Sequence, residues 1–202
     1  VDESVGRVMD TLRELKLEEN TLVIFTSDNG GFAKATDNAP LRANKGSNYE
    51  GGIRVPVIVK WPGQTEPGSV SDEPIVSTDF YPTILAAVGQ PLRPYQHLDG
   101  ADLTPVLHGE RDLGRDAIFW HYPHYNQHPQ SFPSGVIRAG GWKLIEAYET
   151  GELELYNLKD DLGETKNLAK ISPKKTEQLQ RQLHTWLENV GADPMKPNPQ
   201  YT

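Results

Sequence analysis

The stretch of sequence that decides the fold is TLVIFTSDNGG, residues 21–31. Five of its first six residues are β-branched or aromatic, and a short continuous apolar run bounded by turn residues is typical of a buried strand in a parallel sheet. The run stops abruptly at the turn sequence SDNGG. Upstream, residues 2–16 carry apolar side chains at the i, i+3, i+4, i+7 spacing of an amphipathic helix. A helix, a short loop, a buried strand and a polar loop in that order predict an α/β fold.

Further along, a long polar loop separates this strand from a second apolar run. The loop covers residues 32–52, and loops of this length in compact domains are often functional. The second run, residues 55–61, predicts another strand. Residues 78–89 predict a helix closed by Gly89.

The sequence pattern changes in the last part of the chain, where short apolar runs alternate with Gly-Gly or Thr-Gly pairs. Such runs predict antiparallel hairpins. The apolar spacing over residues 176–190 predicts a helix that covers one face of the resulting small sheet. We therefore expect two domains, residues 1–115 as part of a larger α/β domain and residues 116–202 as a small α+β subdomain.

Composition excludes several classes of function. The formal charge of -8 over 202 residues disfavours nucleic acid as a partner, because phosphate binding needs a basic face. The absence of cysteine excludes a thiol nucleophile and a zinc-thiolate site within this chain. No apolar run approaches the ~20 residues of a membrane-spanning helix.

The strongest candidate site is the pair Asp28 and Asn29 at the end of the first strand. Ligands of α/β sheets bind beyond the carboxyl ends of the strands. A carboxylate beside an amide oxygen suits a hard cation such as Ca²⁺ or Mg²⁺. The alternative is an Asx-type turn, in which both side chains bond the local backbone.

Lys45 is the second candidate, in the long loop beside Gly46. An ammonium on a glycine-flanked loop can bind an oxygen of a sulfate or phosphate group as a point charge. An ordinary surface lysine is the alternative. Downstream, Glu50 and Arg54 flank two glycines, and we expect them to pair and hold the loop in place.

Three histidines, His121, His124 and His128, alternate with aromatic residues in one segment. Their spacing matches no zinc motif, so a metal site is disfavoured. A wall of a substrate pocket and a packed loop without chemistry both remain open.

The chain resembles the type I sulfatases, a branch of the alkaline phosphatase superfamily that includes the arylsulfatases. The resemblance extends over about residues 1–190. It is carried by ordered motifs along the chain: LVIFTSDNG (22–30), LR (41–42), KG (45–46), YEGGIRVP (49–56), WPG (61–63), DFYPT (79–83), LDG (98–100), LTPVL (103–107), WKLI (142–145), ELYNL (154–158) and DLGETKNL (161–168).

The resemblance implies roles for individual residues. Asp28 and Asn29 would be two ligands of one divalent cation, usually Ca²⁺, and Lys45 would bind the sulfate group as a catalytic residue. His121 and His124 fall where family members often shape the substrate pocket. The implied activity is hydrolysis of sulfate esters, and the aromatic residues favour a sulfated carbohydrate as substrate.

One element of the family pattern is absent from these residues. The nucleophile of the family is a formylglycine made from Cys or Ser in a Cys/Ser-x-Pro/Ala-x-Arg motif, which this sequence does not contain. We therefore expect an N-terminal part of the same protein to supply the formylglycine and the other metal ligands, and this chain alone to be inactive. The resemblance also implies a periplasmic, secreted or lysosomal location.

Two other functions stay open at this point. A phosphonate or phosphate monoester hydrolase of the same superfamily would use the same pair of metal ligands. A non-catalytic, sulfatase-derived module that recognises sulfated glycans would keep the fold without turnover.

Overall fold

The computed structural model describes residues 1–110, 112–196 and 200, and it divides the chain into two compact units. The first unit consists of Val1–Ser27 and Pro56–Arg115, and the second of Asp28–Val55 and the residues from Asp116 onward. The loop with the candidate site residues therefore packs within the second unit. The domains 1–115 and 116–202 stay a prediction, and the end of the latter lies partly outside the described residues.

Most of the regular elements follow one another as the sequence predicts, with bounds that differ by a few residues. They are α1 (Asp2–Glu14), β1 (Val23–Thr26), α2 (Glu50–Ile53), β2 (Val57–Lys60), α3 (Phe80–Ala87), α4 (Thr104–Leu107), β3 (Ile118–Tyr122), β4 (Ser134–Ala139), β5 (Trp142–Ala147), β6 (Leu153–Asn157) and α5 (Pro173–Asn189). Short 3-10 helices occupy Glu18–Asn20 and Ser77–Asp79.

In the first unit, the expected parallel, buried setting of β1 is wrong. β1 pairs with β2 in an antiparallel ladder that runs from Val23 opposite Lys60 to Thr26 opposite Val57. All four residues of β1 are half-buried, and Ile58 on β2 is 62% exposed. A short apolar run fits a strand with neighbours of either direction, so the sequence pattern alone does not distinguish a parallel from an antiparallel partner.

The second unit contains the predicted small antiparallel sheet, with strand order β3-β4-β5-β6. α5 covers one face and packs Leu179 and Leu183 against Leu144 of β5. The ring of Trp186 on α5 stacks on Phe119 of β3 at a centroid distance of 4.8 Å. This confirms the sequence prediction of a sheet covered by a C-terminal helix.

The opposite face of the same sheet is also covered. Val136, Ile145 and Tyr156 form a second buried cluster there with Tyr49 from the long loop. Because both faces are covered, residues of both alternating sets along β4 and β5 are buried.

The start of the last helix differs from the sequence prediction for a physical reason. α5 begins at Pro173 rather than at residue 176, because proline at the first helical position fits the helical φ and lacks only an N–H that would have no partner there. The end of the long loop is not irregular: Glu50–Ile53 forms a helical turn. Across the described ranges, no helix is both long and apolar enough to span a membrane.

Candidate functional site

The predicted metal-binding pair lies at the start of the long loop, directly after β1. Asp28 is exposed and Asn29 is half-buried. The side-chain amide of Asn29 donates a hydrogen bond to the Asp28 carboxylate. The two groups are therefore side by side. This hydrogen bond joins the two side chains to each other, whereas an Asx-type turn would join a side chain to the backbone.

Glycines hold the loop in a tight backbone fold next to this pair. The amide of Gly30 donates to the carbonyl of Gly52 at 2.8 Å. A Cβ on Gly30 would lie 1.8 Å from the carbonyl oxygen of Gly51, and one on Gly52 would lie 2.0 Å from that of Ser47. Since real side chains cannot approach so closely, these positions require glycine.

The same backbone network includes Lys45, the predicted sulfate-binding residue. Its amide donates to the carbonyl of Gly31 at 3.0 Å. The side chain of Asn38 accepts from the Gly31 amide at 3.1 Å and donates to the Ala43 carbonyl at 3.2 Å and to Oδ1 of Asn44 at 2.9 Å. These hydrogen bonds join the start of the loop, at Gly31, to its later part around Lys45.

Lys45 is half-buried. Within the part of the chain that the structure describes, its ammonium makes no side-chain hydrogen bond or ion pair. A cationic group in this state can bind an external anion without first breaking an internal contact.

The donor chemistry of the pair fits a hard cation, but two side chains supply only part of a site. Ca²⁺ takes about six to eight oxygen ligands, and Asp28 with Asn29 provides a carboxylate and an amide oxygen. Among residues 1–110, 112–196 and 200, no group of three or more His, Asp or Glu side chains is arranged to hold a metal ion. The pair therefore fits as two ligands of a site that needs further donors.

A buried ion cluster connects the loop to the sheet. Nζ of Lys143 on β5 lies 3.0 Å from Glu50 Oε1 and 2.8 Å from Glu164 Oε1, and these three side chains are 0–2% exposed. Oε2 of Glu164 also accepts the backbone amide of Glu50 at 2.6 Å. The predicted pair of Arg54 with Glu50 is confirmed at 3.4 Å.

A second anchor lies around the Arg42 guanidinium, which stacks 3.8 Å from the centre of the Tyr49 ring. Arg42 donates to the Tyr156 hydroxyl at 2.7 Å and to the Glu164 carbonyl at 3.1 Å. Tyr49 donates to the Glu154 carboxylate at 2.9 Å. Burial, followed by the nearby Glu154 charge, raises the pKa of Tyr49 above its ordinary value, so its hydroxyl stays a donor at neutral pH.

The structure places the two predicted substrate-binding histidines differently from each other. His121 on β3 is half-buried, with Nδ1 2.6 Å from the Tyr148 hydroxyl and Nε2 3.0 Å from the Asp193 carbonyl oxygen. His124 is exposed and meets the Tyr122 ring edge-on at a centroid distance of 5.7 Å. Both ring nitrogens of His121 thus have protein partners, and a substrate role for either histidine stays a prediction.

The third histidine, His128, lies against the loop that carries Lys45. A Cβ on Gly46 would fall 2.5 Å from the His128 ring, so the backbone at Gly46 touches that ring. Asn126 donates to the Gly46 carbonyl at 2.9 Å, and Phe32 meets the His128 ring edge-on at 6.0 Å. Among the three histidines, this one neighbours Lys45 in the fold.

Sequence reasoning assigned no role to Lys143 or Glu164, although both lie in motifs that it singled out. A signal was present: Lys143 interrupts the apolar run WKLI at a position that shares a strand face with Ile145. A charged residue on a buried face requires a partner of opposite charge.

Known proteins similar to this chain are sulfatases. A family model described as N-sulphoglucosamine sulphohydrolase, C-terminal, matches residues 43–193. A sulfatase of Formosa agariphila is 40% identical over 210 residues, which cover 93% of this chain and 38% of that protein. Arylsulfatase A of Homo sapiens is 43% identical over 129 residues, covering 62% of this chain and 25% of that protein.

Solved structures give the same result for the fold. A protein in complex with its substrate D-glucosamine-2-N,6-O-disulfate matches with a TM-score of 0.80 and 28% identity over 96% of this chain and 40% of its own. Another, in complex with a neocarrahexaose, matches with a TM-score of 0.79 and 31% identity over 92% and 40%. The chain thus spans about two fifths of the length of these proteins.

Proposed function

We propose, from the premise that this chain belongs to the sulfatase family, that the protein containing it hydrolyses sulfate esters, with a sulfated carbohydrate as substrate. The observation that carries the proposal is the shared scaffold of the loop. Asp28 and Asn29 lie side by side after β1, and the Lys45 amide is bonded to Gly31 two residues further on. The proposed cation ligands and the Lys45 ammonium thereby belong to one hydrogen-bonded stretch of backbone.

In this proposal Asp28 and Asn29 contribute a carboxylate and an amide oxygen to one Ca²⁺ site. When bound, the cation supplies Lewis-acid polarisation of the sulfate group. Lys45 places its positive charge against the sulfuryl oxygens, where negative charge has to be stabilised. The formylglycine nucleophile and the remaining metal ligands come from residues outside these 202.

The carbohydrate substrate is supported by similarity. One structural neighbour was solved with a disulfated glucosamine and another with a neocarrahexaose. A periplasmic, secreted or lysosomal location is proposed from family membership alone. His121 and His124 remain candidates for sugar contacts.

The test is a rate comparison on the complete protein. We expect Ca²⁺-dependent hydrolysis of aryl sulfate and of sulfated monosaccharides to exceed that of matched phosphate and phosphonate monoesters. Lys45→Ala is expected to lower kcat/KM for the sulfate ester by about 10²–10³-fold, the usual loss for one stabilising group at a developing charge. Lys34→Ala, in the same loop, is the control and should leave the rate unchanged.

Faster hydrolysis of the phosphonate or phosphate monoester would assign the protein to the other branch of the superfamily. Tight binding of a sulfated glycan without turnover by the complete protein would instead identify a recognition module.

A further inference from the structure

Lys143 is the most deeply buried cation among the described residues, with a side chain that is 0% exposed. Its ammonium contacts two carboxylates, Glu50 at 3.0 Å and Glu164 at 2.8 Å. Burying such a charge is unfavourable unless it is paired, and a buried ion pair is in general weak evidence for a gain in stability. The contacts of Lys143 therefore point to a role in fixing the positions of the residues that it binds.

The contacts lead from Lys143 to the proposed site in three steps. The ammonium binds the Glu50 carboxylate at the first residue of α2. Two residues later, the carbonyl of Gly52 accepts the amide of Gly30 at 2.8 Å. Gly30 directly follows Asn29, and the Gly31 carbonyl accepts the Lys45 amide at 3.0 Å.

Glu164 restrains the same helical turn from a second direction. While its Oε1 faces Lys143, its Oε2 accepts the backbone amide of Glu50 at 2.6 Å. Both the side chain and the main chain of Glu50 are thus fixed. Charge-assisted hydrogen bonds are short and directional, whereas apolar contacts allow sliding, so this cluster sets where the turn lies.

We infer that Lys143 is a positioning residue for sulfate-ester hydrolysis: from the sheet it holds, through Glu50, the glycine turn that orients Asp28, Asn29 and Lys45. The inference rests on the proposed function of those three residues. Lys143 touches neither the cation nor the substrate in this scheme.

The test compares Lys143→Met with Leu183→Ala in the complete protein. Both changes alter a fully buried side chain that contacts the same sheet. Leu183, however, belongs to α5 and packs on the sheet face that points away from the loop. Residues that support metal ligands typically change metal affinity or activity by about 10–100-fold when replaced. We therefore expect Lys143→Met to lower kcat and Ca²⁺ affinity by at least about tenfold, and Leu183→Ala to change each by less than about twofold at a temperature where both are folded.

Amide hydrogen exchange provides a readout that does not depend on turnover. Lys143→Met should accelerate exchange at Gly30, Lys45 and Gly51, and Leu183→Ala should not. If the wild-type protein lacks sulfatase activity, the proposed function fails, while calcium affinity and exchange still decide the role of Lys143. Equal effects of the two variants on kcat, calcium affinity and loop exchange would overturn the inference.

If Lys143→Met does not fold, Glu50→Gln takes its place. It keeps the shape of the side chain and leaves Lys143 paired with Glu164. Weaker calcium binding together with faster exchange at Gly30 supports the inference. Wild-type values for both measurements contradict it.

Discussion

At the residue scale, Gly30 occupies the closest backbone approach in the candidate site. A Cβ there would lie 1.8 Å from the Gly51 carbonyl oxygen and 2.8 Å from Cα of Gly52. Both neighbours are main-chain atoms, so no side chain can turn aside to make room. The identity of this residue is therefore dictated by the loop backbone rather than by its own φ.

The first prediction concerns Gly30→Ala. The added methyl group has to push the Glu50–Ile53 turn away and break the hydrogen bond from Gly30 to Gly52. We expect a loss of about 1–3 kcal/mol in the free energy of unfolding, as for other overpacked sites, together with weaker Ca²⁺ binding. Urea denaturation and calcium titration measure the two effects.

Gly6→Ala is the matched control for this change. Gly6 lies in α1, and nothing is within 4 Å of an added Cβ. Alanine in a helix interior is favoured over glycine by about 1 kcal/mol, so this variant should be slightly more stable. A Gly30→Ala protein as stable as wild type, with unchanged calcium affinity, would contradict the described loop geometry.

At the element scale, β5 contributes side chains to both covered faces of the sheet. Ile145 and Lys143 share the face toward the loop, while Leu144 packs toward α5. The charged member of the loop-facing set is the one that binds Glu50 and Glu164. The strand thus combines apolar packing with a directional anchor for the loop.

The second prediction is a pH dependence that originates from Glu164. Burial raises the pKa of its carboxyl above the ordinary 4.5, and the Glu50 charge adds to this, although the Lys143 ammonium opposes the shift. A carboxyl with a higher pKa in the folded state binds its proton more tightly there. Its contribution to stability is complete below pH 4.5 and is lost as the pH rises through the folded-state pKa.

Glu164→Gln removes this titration because glutamine carries no ionisable proton. As the pH is raised above 4.5, the free energy of unfolding of the wild type should therefore fall relative to that of the variant. Urea denaturation at a series of pH values measures it. A difference that is constant, or that shifts toward the wild type with rising pH, would contradict the prediction.

Asp161→Asn provides the control of opposite sign. Slight burial raises the pKa of Asp161, but hydrogen bonds from the amides of Thr165 and Lys166 lower it more, so the net pKa is below 3.8. A lowered pKa contributes stability above the unfolded value, which is lost as the pH falls through the folded-state pKa. The advantage of wild type over Asp161→Asn should therefore shrink in acid.

At the scale of the whole molecule, the first unit exposes apolar side chains on several of its elements. Leu15 and Ile58 are each 62% exposed, Val88 is 63% exposed, and Val8 is 58% exposed. Exposed apolar surface of this kind favours association with another protein surface.

The third prediction is that a polypeptide of these 202 residues alone self-associates and shows no sulfatase turnover. Ile58→Lys combined with Val88→Lys should shift its sedimentation toward the monomer, because a charge opposes burial of these surfaces. Ile171→Lys, at a 67% exposed position in the second unit, is the control and should have a smaller effect. Metal-dependent aryl sulfate hydrolysis by the pure chain would contradict the second half of the prediction.

Local pattern in the sequence was sufficient for most elements and for the family. The 3.6-residue apolar period located α1 and α5, the glycine-separated apolar runs located β3 to β6, and ordered motifs identified the sulfatase resemblance. Such features depend on neighbours along the chain, so they can be predicted without the fold. The candidates Asp28, Asn29 and Lys45 were found in the same way, from residue type and motif.

Only the tertiary structure decided what lies across space. It paired β1 with an antiparallel partner, assigned the long loop to the second unit, and joined Lys143 to Glu50 over 93 positions of sequence. The spacing of apolar residues indicates that a face is buried but not which segment covers it. The lysine in WKLI therefore indicated that a partner is needed without identifying that partner. Contacts between distant residues depend on how the elements pack, and that packing is specified by the whole chain at once.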